Sequence, residues 1–302
     1  MTTVALCSAK GSPGVSTACL ALSLMWPKPV VLVDADPASG DLLPGFFRGE
    51  QPAGRGVLAL TLDARSSSMR ELFWLQVLPM TDSKAWLLPG VSSPRQLRSV
   101  DWPQLAATLP GLQYQLKPVD ALTDLGRLRP ESEVTRPDSP GPEPLLQAAD
   151  LVVIAFAGSL AAVRAAQLRV EQLQALLGDG PGRAGRLVGV LVGRPRPYGE
   201  GEIARALGIP VVAALPHDTR TANTLMAGAP ARRGWRAAPL MRAASATADL
   251  LVQLAAAHRV DPPPPAPARR AAPWAMANQP GGWTPAPSSP GAPTAVWDDR
   301  GR

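Results

Sequence analysis

Apolar runs typical of buried strands alternate with helix-like segments over the first 258 residues, and this alternation restricts the fold more than any other feature. "VALCS" (4–8), "PVVLVDAD" (29–36), "DLVVIAF" (150–156) and "RLVGVLVG" (186–193) are nearly continuous apolar runs rich in Val and Leu. Such runs are typical of parallel strands that are buried on both faces. The sequence therefore predicts an α/β fold with a doubly wound, mostly parallel sheet and helices on both faces.

The remaining elements follow from turn residues and periodicity. Early in the chain we predict a helix from about Ser16 to Met25, short strands in "FWLQVLPM" (73–80) and "AWLLPG" (85–90), and a helix over 93–109 that breaks or restarts at Pro103. Later we predict strands at 118–126 and 209–216, and helices at 159–177, 200–208 and 239–258.

The end of the chain has a different composition. From Asp261 onward Pro, Gly, Ala and Ser dominate, and no apolar period could close a core. We therefore predict one folded domain, residues 1–258, followed by a disordered Pro/Gly/Ala-rich tail, residues 259–302. The tail contains Trp274, Trp283 and Trp297, which either bind a partner or have no function.

Charge and cysteine content bear on the partners and the cellular compartment of the protein. A net charge of +6 and a pI near 10.0 fit an acidic partner such as nucleic acid, anionic lipid or nucleotide, but they fit an Arg-rich protein without one equally well. Cys7 and Cys19 lie in predicted core elements, which favours a reducing compartment. The sequence shows neither a signal-peptide pattern nor an apolar run long enough for a membrane span, so we predict a cytoplasmic protein.

A glycine-rich turn joins the first strand to the first helix, which is the layout of a phosphate-binding loop. Gly11 and Gly14 allow backbone N–H groups to converge on an anion at the positive end of the helix dipole. Ser16, or Thr17 beside it, places a hydroxyl where it can reach Mg²⁺. Val15, however, stands where such loops normally carry a lysine.

Acidic residues follow two of the predicted strands. Asp34, Asp36 and Asp41 lie at or after the end of the strand at 29–36, and Asp124 lies near the end of the strand at 118–126. Ligands of open α/β sheets bind at these carboxyl ends, where an acid can hold Mg²⁺-bound water. Each acid alone is equally explained as a solvated strand-end carboxylate or a helix cap. Together with the preceding turn, they indicate a nucleotide site.

These motifs resemble those of the ParA/MinD ATPases. "AKGSPGVSTACLALSL" is similar to the deviant Walker A motif of that family, usually written K-G-G-x-G-K-[ST]-T. "VVLVDADPASGDL" resembles the strand and switch segment that follow it, and "VDALTDLG" the Walker B strand. The resemblance extends over about residues 2–258, and Gly40-Asp41 is more similar to the CpaE/TadZ branch of pilus-assembly positioning proteins. It implies ATP and Mg²⁺ as cofactors and a nucleotide-dependent homodimer.

The resemblance also implies roles for individual residues. Lys10 matches the signature lysine, which reaches the phosphates of the partner subunit, and Asp36 matches the acid near the attacking water. Asp124 matches the Walker B acid, which like Asp36 is associated with the metal. The other implied binding residues are the phosphate cradle Gly11, Ser12, Pro13, Gly14 and Val15, the Mg²⁺ ligand Ser16, Thr17 near the α-phosphate, and the adenine-side residues Arg194, Pro195, Pro216 and Asp218.

Three positions depart from the family pattern. Val15 replaces the lysine that bridges the β- and γ-phosphates, Pro13 lacks an N–H, and Gly193 replaces the asparagine that reads adenine. Loss of one charge-assisted contact costs roughly 1.5–3 kcal/mol, enough to weaken binding about tenfold or more. Hydrolysis should suffer more, because charge on the γ-phosphate must be neutralised in the transition state. We therefore predict ATP binding with weak or absent hydrolysis.

The predicted function is to position or regulate a cellular assembly (partitioning, pilus or secretion machinery) through nucleotide-dependent dimerisation. One alternative is a working ATPase in which Lys10 of the partner subunit compensates for Val15. A second is a scaffold that binds no nucleotide and acts through its tail. A third is a partition protein that binds nonspecific DNA through a basic face formed by Arg183, Arg186, Arg194, Arg196, Arg232, Arg233, Arg236 and Arg242. His217 and His258 are too far apart to indicate a metal site, and we expect them at the surface or at a helix end.

Overall fold

The structure is a computed structural model, and it describes residues 1–10, 14–38, 40–49, 54–65, 68–80, 84–114, 118–129, 141–178, 185–193, 198–228 and 234–259. All of these lie in the first of two structural units, Met1–Pro264. The predictions for Gly11, Ser12, Pro13, Arg194 and Pro195, and for the tail from residue 260, fall outside the described residues.

The strands form one eight-stranded sheet in the order β3-β4-β2-β5-β1-β6-β7-β8. Neighbouring strands are parallel, except that the edge strand β3 is antiparallel to β4. The strands are β1 Thr3–Ser8, β2 Val30–Asp34, β3 Leu78–Met80, β4 Ala85–Leu88, β5 Asp120–Arg127, β6 Leu151–Ala157, β7 Leu187–Val192 and β8 Val211–Leu215.

Helices cover both faces of this sheet, which confirms the predicted doubly wound fold. They are α1 Val15–Leu24, α2 Leu42–Phe46, α3 Val57–Asp63, α4 Met69–Gln76, α5 Trp102–Thr108, α6 Glu143–Ala148, α7 Leu160–Leu177, α8 Glu200–Leu207, α9 Thr219–Met226 and α10 Pro239–His258. Residues of α1, α2, α9 and α10 pack in one apolar layer, and residues of α3 to α8 pack in the other. Among the described residues, no helix combines the length and apolarity needed to cross a membrane.

Part of the segment 73–80 differs from the sequence-based prediction, whereas the restart predicted near Pro103 is confirmed. Phe73 to Gln76 were predicted as part of a strand but form the end of α4, and only Leu78–Met80 are extended. The reason is that Met69, Phe73 and Gln76, at helical spacing, bury one face of α4. The segment 93–109 is a 3₁₀ turn followed by α5, and Pro103 lies in the first turn of α5, where a missing N–H is harmless.

Arg186 does not belong to a basic surface, so that part of the DNA-face prediction is wrong. Its side chain is only 9% exposed, and its guanidinium donates to the carbonyls of Gln147 and Ala149. Arg186 therefore links the end of α6 to the start of β7. Arg236 and Arg242 are exposed, and the other arginines of that prediction lie outside the described residues: Arg183, Arg194, Arg196, Arg232 and Arg233.

Candidate functional site

The N-terminus of α1 lies at the carboxyl end of β1 and begins after a left-handed glycine. Gly14 has φ 83°, a left-handed conformation that favours glycine, and its carbonyl accepts the N–H of Ala18 at 2.8 Å. The first N–H groups of a helix lack an intrahelical acceptor. In the described part of the chain no side chain caps α1, and its first turn carries no acid. Its free N–H groups and the helix dipole therefore point toward the space ahead of Gly14.

Val15 contributes to this terminus only through its backbone. Its side chain is 5% exposed and belongs to the apolar layer that α1 forms with α9 and α10. Lys10, by contrast, is exposed just after β1. The structure thus places an apolar core residue at position 15 and an exposed cation on the strand side of the turn.

Asp124, near the end of β5, faces the first turn of α1. Burial raises the pKa of this carboxyl to about 6, against the opposing influence of the Ser16 hydroxyl and the Gly126 N–H. Oδ1 accepts the N–H of Gly126 at 2.9 Å. Oδ2 is buried and has no hydrogen-bond partner among the described residues. Such an orphaned buried oxygen is costly unless a ligand or a cation binds it.

The sequence analysis grouped Asp34 with the strand-end acids but gave it no individual role, and the structure places it inside the site. It is paired in register with Asp124 on the neighbouring strand and is only 1% exposed. Burial, together with the charge of Asp124, raises the pKa of Asp34 well above its ordinary value. A β-carbon on Gly90 would lie 2.9 Å from its Cγ, so glycine is required there. The pairing of Asp34 with Asp124 depends on the order of the strands, which the strand-end pattern alone does not give.

Asp36 completes the group of acids. It is half-buried, and burial raises the pKa of its carboxyl, while Oδ1 accepts the N–H of Ala38 at 2.8 Å. Gly126 has φ 55°, and a β-carbon there would overlap the Asp36 carboxylate. The register between β1 and β5 shifts at this point, so the glycine bulge makes room for Asp36 near Asp124.

These residues fit a magnesium ion that is bound together with a phosphate group. Ser16 offers a hydroxyl, Asp124 offers its orphaned Oδ2, and Asp36 lies close by. Within the described residues, no three His, Cys, Asp or Glu side chains form a metal site by themselves. Mg²⁺ is commonly held by one or two carboxylates plus waters and substrate phosphates, so such a cluster is not needed.

The predicted adenine side lies on the other side of β1, at the carboxyl ends of β7 and β8. Asp218 caps α9: Oδ1 accepts the Thr221 N–H at 3.1 Å, and Oδ2 accepts the Thr221 hydroxyl at 2.7 Å and the Leu240 N–H at 3.4 Å. Burial would raise the pKa of Asp218, but these hydrogen bonds lower it overall. The carboxylate thus fixes the starts of α9 and α10, whereas Pro216 follows β8 directly.

The segment after the acids is locked onto the end of α9. A β-carbon on Gly45 would lie 2.5 Å from the carbonyl oxygen of Met226, and one on Gly228 would lie 2.8 Å from that of Phe46. Arg48 has φ 54°, an unusual value for a residue with a side chain, and its Nε donates to the Gly228 carbonyl at 2.7 Å. The acidic side and the α9 side of the site are therefore held together by backbone contacts.

The strand order and the helices on both faces of the sheet give this chain a P-loop NTPase-like α/β fold. Neither a protein-family model nor a curated protein matches the sequence. Solved structures do match, and those reported below are ATPases or partition proteins of the ParA/MinD family, which confirms the predicted resemblance at the level of the fold.

Three of these structures illustrate the similarity. A ParA family ATPase from Chlorobium tepidum has a TM-score of 0.62 at 14% identity, with 82% of this chain and 98% of that chain covered. MinD from Pyrococcus horikoshii, complexed with Mg-ADP, has a TM-score of 0.61 at 14% identity, with 85% of this chain and 98% of that chain covered. A putative plasmid partition protein from Borrelia burgdorferi, bound to AMPPNP, has a TM-score of 0.58 at 13% identity, with 83% of this chain and 98% of that chain covered.

Proposed function

We propose that this chain is a ParA/MinD-type protein that binds ATP and Mg²⁺ at the N-terminus of α1 and uses the bound nucleotide to position or regulate a cellular assembly. One observation carries the proposal: the uncapped start of α1 faces the Asp124 carboxylate, whose Oδ2 is buried without a partner. An anion and a cation side by side would satisfy both groups, and a magnesium–phosphate complex supplies both.

The residues of the site have distinct roles in this proposal. The N–H groups of the first turn of α1 bind phosphate oxygens, and the Ser16 hydroxyl and Asp124 hold the metal, which neutralises phosphate charge. Asp36, partly exposed beside Gly126, orients water near the terminal phosphate. Thr17 lies one residue further along α1, toward the α-phosphate. The similar structures that are bound to Mg-ADP and AMPPNP support nucleotide binding in this fold.

Hydrolysis is weak or absent in this proposal. Because the side chain at position 15 is a buried valine, no lysine on α1 bridges the β- and γ-phosphates. The exposed Lys10 is the cation left at the loop, and in the proposed homodimer it reaches the phosphates of the partner subunit. Two chains that share phosphates would be joined by the nucleotide, which makes dimerisation dependent on ATP.

The proposal is tested by calorimetric titration of the full chain with ATP, with and without Mg²⁺, alongside a phosphate-release assay and a sizing run. We expect saturable, Mg²⁺-dependent binding, a shift to dimer and little phosphate release. Ser16→Ala should weaken Mg²⁺-dependent binding about tenfold, because it removes a metal ligand. Ser23→Ala is the matched control, since Ser23 lies in the same helix and its hydroxyl bonds the Leu20 carbonyl.

Other outcomes of these assays identify the alternatives. Phosphate release that is lost in Lys10→Ala would show a working ATPase in which Lys10 compensates for Val15. Absence of binding at millimolar ATP would overturn the proposal and favour a scaffold that acts through its tail. Salt-sensitive retention on DNA would indicate the partition role, since phosphate contacts release counterions.

A further inference from the structure

The ring of His217 lies against Gly193, where the carboxyl ends of β7 and β8 meet. A β-carbon built on Gly193 would be 2.6 Å from Cδ2 of His217 and 2.9 Å from Nε2. Gly193 has φ 91° and its N–H donates to the Leu215 carbonyl at 2.7 Å, so its backbone is fixed by β8. The exposed imidazole of His217 therefore occupies the space that a side chain at position 193 would need.

The position of this ring relative to the phosphate site follows from the strand order. Asp34, Asp36 and Asp124 occupy the edge on the β2–β5 side of β1, so an elongated anionic ligand that begins at α1 must extend toward β6, β7 and β8. Adjacent strands are about 4.8 Å apart, which places the ends of β7 and β8 roughly 10 to 14 Å from β1. That reach suits the far end of a nucleoside triphosphate.

We infer that His217 is the nucleobase platform of the site, and that it acts in place of the side chain absent at Gly193. The inference rests on the proposed nucleotide-binding function and deepens it. Nucleobases stack on aromatic rings, His included, and the exposed face of the imidazole beside Gly193 offers such a surface. The neighbouring Asp218 carboxylate is engaged with α9 and α10, whereas the His217 ring is exposed.

Stacking has a consequence for the class of ligand. Every base has a π-face, so a stacking platform discriminates weakly between bases, unlike a side chain that hydrogen-bonds one base edge. The site therefore takes nucleoside triphosphates with little preference among bases, and ATP and GTP should bind with affinities within about threefold of each other.

The two histidines of the chain provide a direct test by NMR of their ring signals in the full-length protein. His258 ends α10, and its ring lies 3.0 Å from where a β-carbon on Gly185 would be, just before β7 and thus at the opposite edge of the sheet. With Mg²⁺ present, ATP should shift the His217 signals and leave those of His258 unchanged. Inorganic tripolyphosphate, which has no base, should bind and leave the His217 signals nearly unchanged.

Binding measurements on variants complete the test. His217→Ala should weaken ATP binding roughly tenfold, in line with the loss of one base–aromatic stack, and leave tripolyphosphate binding unchanged. His217→Phe should bind ATP within about threefold of the native chain because it keeps an aromatic face. His258→Ala is the control and should change neither ligand.

The failures are distinguishable. If ATP binds His217→Ala as tightly as the native chain, or shifts neither histidine, the platform assignment is wrong while the proposed function stands. Failure of the Phe variant to retain binding, or a strong preference for ATP over GTP, would likewise overturn stacking. If neither ATP nor tripolyphosphate binds, the proposed function fails and the platform fails with it.

Discussion

Replacing Asp124 by Asn should stabilise the fold at neutral pH while it damages the candidate metal site. The carboxyl is fully buried, and burial raises its pKa from an ordinary 3.8 to about 6. Asn has nearly the same shape, and its amide oxygen can still accept the N–H of Gly126, which now bonds Oδ1. The substitution therefore removes the ionisation of a buried group with little change in packing.

The magnitude follows from the two pKa values. The rise from 3.8 to about 6 corresponds to about 3 kcal/mol at roughly 1.36 kcal/mol per unit. The folded state holds the proton more tightly than the unfolded chain, so this carboxyl lowers stability as pH rises from 3.8 through about 6. Above that window the full penalty is present, and below it none remains.

The assay is urea unfolding of the native chain and Asp124→Asn at several pH values, with a chelator to remove divalent cations. We expect the variant to be up to about 3 kcal/mol more stable at pH 8, with about half of that difference left at pH 5. Asp249→Asn is the control, because Asp249 is exposed on α10, and its effect should be small and independent of pH.

A second measurement links this stability difference to the site. ATP with Mg²⁺ should stabilise the native chain, since a bound cation compensates the Asp124 charge, and should stabilise the Asn variant much less. The reasoning would be refuted if Asp124→Asn were less stable than the native chain at pH 8. A gain of the same size at pH 4 and pH 8 would also refute it, because the gain would then not come from ionisation.

Three further substitutions test other parts of the site. Val15→Lys should tighten ATP binding about tenfold, which calorimetry measures, and unchanged affinity would contradict this prediction. Because it replaces a core side chain, it should also lower the free energy of unfolding by about 1–3 kcal/mol, which urea unfolding measures. Gly45→Ala should destabilise by about 1–3 kcal/mol through its clash with Met226, whereas Gly201→Ala, which meets no atom within 4 Å, should not destabilise. Gly126→Ala should displace the Asp36 carboxylate that packs on this glycine, and should therefore abolish Mg²⁺-dependent ATP binding in the calorimetric titration. Native-like binding would be evidence against that packing.

The sequence was sufficient to predict the central strands because they are buried on both faces and carry almost no polar residue. β2 and β6 were found on that basis, and both are almost entirely buried. The pattern failed where burial is one-sided: Phe73 to Gln76 are apolar enough for a strand but bury a single helical face. The prediction of charged surfaces has a similar limit. The sequence does not distinguish the buried Arg186, which bonds backbone carbonyls, from an arginine at the surface.

The sequence predicted the single motifs of the site but not the contacts between them. The turn before α1 and the acids after β2 and β5 are local patterns, so they were visible in sequence. That Asp34 lies opposite Asp124 depends on the order of the strands, since 90 residues separate them. The contact of His217 with Gly193 depends on the pairing of β7 with β8 and on a left-handed glycine, and neither is encoded in a motif.

The electrostatics of the acidic edge explain why a nucleotide would act here as an assembly signal. Burial raises the pKa of Asp34, Asp36 and Asp124, and none of them has an ion-pair partner among the described residues, whose ion pairs are Met1 with Asp120 and Arg129 with Glu143. A lysine on α1 could have supplied the missing positive charge within the chain, but position 15 is a buried valine. The compensating charge arrives, under the proposed function, with a ligand, as Mg²⁺, or with a second subunit, as Lys10. Under the proposed function, the substitution that weakens catalysis thus makes the stability of the site depend more strongly on the bound nucleotide and on the dimer.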